Sequence, residues 1–179
     1  MTETIKLGSK TFKLLIAATE IQRAIDSIAF RMNRELTEKE PLFLSLLNGS
    51  FMFTAELMKR LTFNCSVSFV KLSTYRETSS SGNINQLIGL NENIEGRMVV
   101  VLEDIVDTGF TLSHFLKELK KFKPAELKVA TLFFKPASCI YQLQLDYIGI
   151  EIPDVFSVGF GLDYNGLGRN YPDLYQMIS

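Results

Sequence analysis

Cysteine and histidine are scarce in this sequence, and their scarcity removes whole classes of chemistry. The 179 residues hold two cysteines, Cys65 and Cys139, and one histidine, His114. The cysteines lie far apart and in no paired motif, so neither a disulfide framework nor a metal site is expected of them. They are read as reduced, partly buried small residues of a cytosolic protein. One histidine cannot complete a cluster of His and Cys metal ligands. His114 falls on the polar side of its helix and is read as solvated. An excess charge of one sign is also missing. Lys plus Arg is 19, Asp plus Glu is 20, and the net charge is −1. Nothing in that balance favours nucleic acid or an anionic membrane surface. No apolar run reaches the roughly 20 residues of a membrane span. The first residues, Met1-Thr2-Glu3-Thr4, lack the basic-then-apolar pattern of a signal peptide. There is no repeat, no low-complexity tract, no Pro-rich linker and no GxxxxGK[ST] string. Gly159-Phe160-Gly161 lacks the third glycine and the following helix of a dinucleotide fingerprint. The expectation is one soluble, cytoplasmic globular domain.

Hydrophobic periodicity supplies the elements. Ile21, Ala24, Ile25, Ile28, Ala29 and Met32 recur at helical spacing, and Thr19 with Gln22 reads as a capping box in front of them. Leu42 to Leu47 is a short apolar run. Asn48-Gly49-Ser50 follows, and a second helix is expected from Ser50 to about Leu61. Cys65 to Leu72 reads as a strand. Ser73 to Asn85 is polar and reads as a loop or a long hairpin tip. Met98 to Leu102 is apolar at every position, which predicts a strand covered on both faces. Leu112, Phe115, Leu116 and Leu119 mark the next helix, which ends before Pro124. Leu127 to Phe134 is another apolar strand. Strand, loop, helix and strand in this order argue for a βαβ unit and an α/β fold. In such folds ligands gather beyond the carboxyl ends of the strands.

The densest chemistry follows Leu102. Glu103 and Asp104 are adjacent carboxylates at the sheet's edge, suited to accept hydrogen bonds from vicinal hydroxyls. Asp107-Thr108-Gly109-Phe110-Thr111 leads into a helix. Gly109 permits close backbone approach. The free amides of the first turn favour a phosphate there, and Thr108 and Thr111 add hydroxyl donors. Any one of these residues alone would read as a helix cap. Together they describe a receptor for a ribose phosphate.

Leu102 to Gly109 resembles the binding signature of type I phosphoribosyltransferases for 5-phosphoribosyl-1-pyrophosphate (PRPP). The resemblance narrows to the hypoxanthine-guanine phosphoribosyltransferases and covers about Leu42 to Arg169. It implies an α/β type I phosphoribosyltransferase fold, with a mainly parallel central sheet flanked by helices. It also implies a core of about residues 15–150, a hood of about 1–14 and 151–179, and a mobile lid of about 73–88. Ser73-Thr74-Tyr75 resembles the base of that lid. Asp107 is implied as the general acid or base, and Glu103 and Asp104 as the ribose anchors. Asp107 to Thr111 would hold the 5′-phosphate. Asn48, Gly49 and Arg169 would hold pyrophosphate. Lys135, Phe156, Ser157 and Asp163 would form the purine site, with Phe156 stacking and Lys135 meeting the 6-oxo group. Mg²⁺ is the implied cofactor, with Glu103, Asp104 and Asp163 as its ligands. Homodimers or homotetramers are usual in such families.

Two positions depart from the pattern. Asn48 and Phe110 stand where relatives commonly carry lysine, so backbone amides are expected to take over those contacts. The implied reaction is conversion of hypoxanthine or guanine, with PRPP, to the nucleoside 5′-monophosphate. Two alternatives stay open: preference for xanthine, and a PRPP-sensing regulator without catalysis.

Overall fold

A computed structural model describes residues 4–74 and 84–179. The elements run β1 (Thr4–Leu7), β2 (Lys10–Ile16), α1 (Ala18–Glu35), β3 (Leu42–Leu47), α2 (Phe51–Met58), β4 (Ser66–Thr74), β5 (Ile84–Ile88), β6 (Met98–Val106), α3 (Phe110–Lys121), β7 (Glu126–Phe134), β8 (Tyr147–Glu151), β9 (Ser157–Val158) and β10 (Leu174–Met177).

Six strands form the central sheet, in the order β5-β4-β3-β6-β7-β8. All neighbours pair in parallel except β5, which runs antiparallel to β4. Parallel strands joined by helices must be covered on both faces, and the side chains of β6 show how. Met98, Val100 and Leu102 enter one apolar cluster with residues of α1 and α2. Val99 and Val101 enter a second cluster with Leu112, Phe115 and Leu119 of α3. Each such fully buried valine contributes about 1.5–3 kcal/mol of apolar burial.

Chain direction across the sheet sets the position of the site. From β3 the chain steps through α2 to β4 on one side, and from β6 it steps through α3 to β7 on the other. The strand order therefore reverses between β3 and β6, where ligands of open α/β sheets collect. The gap is physical. Pairing of β3 with β6 stops at Ser45↔Leu102, while β6 stays with β7 to Val106↔Phe134. The strand expected over Met98–Leu102 thus continues to Val106, and the two acids lie inside it.

The chain ends meet in a smaller sheet ordered β1-β2-β10-β9, which no expectation of individual strands anticipated. Gly8, at φ +57°, turns β1 into β2. The capping box is overturned. Residue 17, an alanine, caps α1 with no side-chain bond. The amide of Ala18 instead donates to Asp173 Oδ1 at 2.7 Å, so the cap comes from the far end of the chain. Cys65 is exposed rather than partly buried, and Cys139 is partly buried. Among the described residues, no helix is long and apolar enough to cross a membrane.

Candidate active site

At the rim of β6 the two acids behave as a pair. Asp104 is buried and bonded to the Ile105 amide at 2.9 Å. Glu103 has one carboxylate oxygen, Oε2, fully buried and without a partner. Burial, and then the neighbouring Asp104 carboxylate, push Glu103 well above the usual carboxylate range. Burial also raises Asp104, offset in part by its hydrogen bond with Glu103 and by the charge of Arg169. A buried carboxylate oxygen without a partner is uncommon in folded chains, and here a water, a cation or a ligand hydroxyl would satisfy it.

Gly49 closes this end of the gap. The Leu47–Asn48 peptide is cis, and Asn48 is exposed at the turn. A Cβ on Gly49 would lie 1.4 Å from Asp104 Oδ2, so only glycine fits there. Behind the turn Ser45, Ser50 and Thr54 are buried and join by hydroxyl contacts of 2.7 Å, which satisfy polar groups that the strand-to-helix corner would otherwise strand.

The turn after β6 opens into the N-terminus of α3. Gly109, at φ +82°, is the cap of α3. The first helical bond runs from the Ser113 amide to Gly109 O, leaving the earlier amides facing out of the helix end. Thr108 Oγ1 accepts from the Phe110 amide at 3.3 Å, and Thr111 is exposed. Phe110 does not replace a cation. Its ring lies 4.3 Å from that of His114 and 5.8 Å from that of Tyr141. His114, expected to be solvated rather than catalytic, is partly buried, and its Nδ1 lies 2.9 Å from Phe110 O.

On the β7 side, Lys135 is buried and its Nζ donates to Asp107 Oδ2 at 2.8 Å. Asp154 Oδ1 lies 3.5 Å from the same ammonium. Phe156 is exposed at 46%, near the rings of Phe12 and Tyr164. Its carbonyl accepts from Met177, so by strand alternation the amide and carbonyl of Ser157 point away from β10, along an open sheet edge.

Asp163 and Arg169 form a latch. Arg169 Nη2 meets Asp163 Oδ1 at 2.6 Å, its Nη1 donates to Gly161 O at 2.6 Å, and the Gly166 amide donates to Asp163 Oδ2 at 2.7 Å. Gly161 itself packs against the carbonyl of Gly49, 2.0 Å from where its Cβ would be. The expected ligand set of Glu103, Asp104 and Asp163 is not gathered. Among the described residues, no group of three or more His, Cys, Asp or Glu side chains could hold a metal ion. Of the expected lid, Ser73 and Thr74 end β4 and pair with β5 at Asn85 and Ile84. Tyr75 lies outside the described residues. Two residues of the Glu151–Asn165 segment, which resembles the family's base-binding segment, make contacts that sequence reasoning did not assign: Asp154 with Lys135, and Gly161 with Gly49.

Comparison with known proteins agrees with this geometry. Residues 16–165 match the phosphoribosyl transferase domain family. A hypoxanthine-guanine phosphoribosyltransferase of Streptococcus pyogenes is 40% identical over 162 residues, covering 89% of each chain. That of Bacillus subtilis is 34% identical over 161 residues, again covering 89% of each. The crystal structure of a hypoxanthine phosphoribosyltransferase from Staphylococcus aureus superposes with a TM-score of 0.87 at 32% identity, covering 92% of this chain and 90% of that one. A hypoxanthine-guanine phosphoribosyltransferase from Bacillus anthracis, with a HEPES molecule in its active site, gives a TM-score of 0.85 at 31% identity, covering 93% and 96%. With its switch-point crevice, its paired acids and the glycine turn that follows them, the chain belongs to the phosphoribosyltransferase family, among the hypoxanthine-guanine phosphoribosyltransferases.

Proposed function

We propose that this chain transfers the 5-phosphoribosyl group of PRPP to a 6-oxopurine, hypoxanthine or guanine, releasing pyrophosphate. The supporting observation is the Asp107–Lys135 pair, 2.8 Å apart at the mouth of the crevice. A 6-oxopurine carries its O6 acceptor and its N7 position side by side on one edge. An ammonium beside a carboxylate complements that edge: Lys135 donates to O6, and Asp107 faces N7. Phe156 offers an exposed ring for stacking, and Ser157 offers free backbone groups for the opposite edge.

Each residue then has a task. Glu103 and Asp104 hold the ribose hydroxyls, and the Thr108–Thr111 amides and hydroxyls hold the 5′-phosphate. Arg169 meets pyrophosphate, and Asn48 and Gly49 present backbone to it. N9 of the base bonds to C1′ as the C1′–oxygen bond to pyrophosphate breaks, and the N7 proton passes to the Asp107 carboxylate. The oxygen donors of Glu103 and Asp104, one of them buried and unpartnered, fit a hard cation such as Mg²⁺, with Asp163 joining if Arg169 releases it. When bound, that ion supplies neutralising charge for the pyrophosphate leaving group.

The test is pyrophosphate release from PRPP and Mg²⁺ with hypoxanthine, guanine, xanthine, adenine and uracil offered separately. Release with hypoxanthine or guanine supports the reading; release with xanthine alone favours the xanthine alternative; release with none overturns it. Asp107→Asn is expected to lower turnover about 10²–10⁴-fold, while PRPP affinity stays within about threefold by the separation of binding from chemistry. Near-wild-type turnover in that variant removes Asp107 from its role.

A further inference from the structure

We propose that Asp154 is a positioning residue for the known-class reaction: it holds the Lys135 ammonium in place while Asp107 changes its protonation. The inference rests on the phosphoribosyl-transfer reading and names a residue that reading does not use.

The Lys135 side chain is only 7% exposed, and its amino group ends beside two carboxylates. A buried ammonium needs a countercharge, and removing one is costly in a way that surface pairs are not. In the free protein Asp107 is the nearer partner at 2.8 Å. In the proposed reaction, however, Asp107 takes the N7 proton and becomes neutral. The O6 acceptor is uncharged as well. Among the described residues, the carboxylate oxygen then left beside Lys135 is Asp154 Oδ1, 3.5 Å away. The ammonium has three donors, so Asp107, O6 and Asp154 can be served together without competition.

The chain holds Asp154 where this requires. The Ile152 amide donates to Phe134 O at 2.8 Å, which ties the segment to the end of β7 next to Lys135. The Val155 amide donates to Pro153 O at 2.9 Å, which turns the backbone around Asp154. Phe156 follows directly. One short segment therefore carries both the ring that would stack on the base and the carboxylate that would steady its O6 donor. Asp154 is itself 64% exposed, so its carboxylate keeps its contact with water while it serves a buried partner.

The experiment is steady-state kinetics with PRPP, Mg²⁺ and hypoxanthine on the full chain, comparing wild type with Asp154→Asn and Asp154→Glu. Asn is isosteric and lacks the charge; Glu restores the charge. The contact steadies the O6 donor from base binding onward and is needed most once Asp107 is neutral. We therefore expect the KM for hypoxanthine to rise about tenfold in Asp154→Asn with kcat falling as well, the KM for PRPP to move less than about twofold, and Glu to return the base KM to within about threefold of wild type. A purely structural role would lower the amount of active enzyme, which scales kcat but leaves KM alone, so partial misfolding cannot imitate this pattern. An unchanged KM for the base, a parallel rise in both KM values, or failure of Glu to restore the base KM overturns the inference. An active wild type with an insensitive Asp154→Asn sinks the inference alone. A wild type that releases no pyrophosphate with any oxopurine sinks the underlying reading.

Discussion

Between Leu102 and Thr111 the constraints on the chain are mostly local. β6 keeps its register with β7 to Val106↔Phe134, and Gly109 turns directly into α3. Between Glu151 and Arg169 they come from elsewhere in the sequence. The Ile152 amide is held by Phe134, β9 lies against β10, the Phe160 amide donates to Tyr171 O, and Gly161 presses on Gly49. The first region is a strand and a helix start that would look alike in many sheets. The second exists as a site only when two sheets and both chain ends are in place. Local constraint makes a binding element readable and robust, whereas distributed constraint makes it dependent on seams.

The seam at Gly49 is where this contrast can be broken most sharply. Gly49→Ala would place a methyl 1.4 Å from Asp104 Oδ2, and the acid cannot stay where it is. We expect a loss of about 2–4 kcal/mol of stability, as for other steric insertions beside buried polar groups, together with loss of pyrophosphate release. Gly161→Ala meets the Gly49 carbonyl at 2.0 Å and sits at φ +99°, so it too should destabilise. Its damage should fall on the base side. Thermal unfolding with separate PRPP and base titrations distinguishes them. Equal loss of PRPP binding in both variants would show that the two regions are one unit.

A second prediction concerns protons at the local region. Both Glu103 and Asp104 are raised in the folded chain, chiefly by burial. The native state therefore keeps protons that the unfolded chain releases above about pH 4.3. Stability of the ligand-free chain should fall as pH climbs from there toward the raised native values, because the native state then binds more protons than the unfolded one. Glu103→Gln removes one titration while keeping a donor toward Asp104. Its melting temperature should exceed that of wild type by a margin that grows with pH, and its gain on adding PRPP and Mg²⁺ should shrink. A constant offset between the two curves would remove Glu103 from the account.

The same contrast explains what was legible in the sequence. Met98 to Leu102 announced a doubly covered strand because every position was apolar, and both clusters confirm it. Its continuation to Val106 was hidden, because adjacent carboxylates look like loop. They belong to the strand because β7 keeps pairing with β6 after β3 has stopped. The small terminal sheet was invisible in its details. Its strands are short, and their partners lie at the opposite end of the chain. The Lys135–Asp154 contact has no sequence pattern at all, since an aspartate between two strands reads as a turn. The partial burial of His114 was hidden for a related reason. Helical spacing put it on the polar face, but the segment carrying Tyr141 covers that face.

The smallest expected effect tests the distant cap. Thr19 and Gln22 looked sufficient to start α1, yet the structure uses Asp173, whose Oδ1 accepts from the Ala18 amide at 2.7 Å. The Asp173 carbonyl also lies 2.0 Å from where a Gly159 Cβ would stand, so the residue ties the start of α1 to the segment after β9. Asp173→Ala should cost about 1 kcal/mol, the usual value of a lost helix cap, because the amide it leaves behind can find water. Thr19→Ala should cost less, since the capping position is Ala17 and the amide at the helix start is held by Asp173. Chemical denaturation of the two variants settles the order. If Thr19→Ala proves the more damaging, the local capping box holds the helix after all, and α1 belongs with the locally constrained half of the molecule.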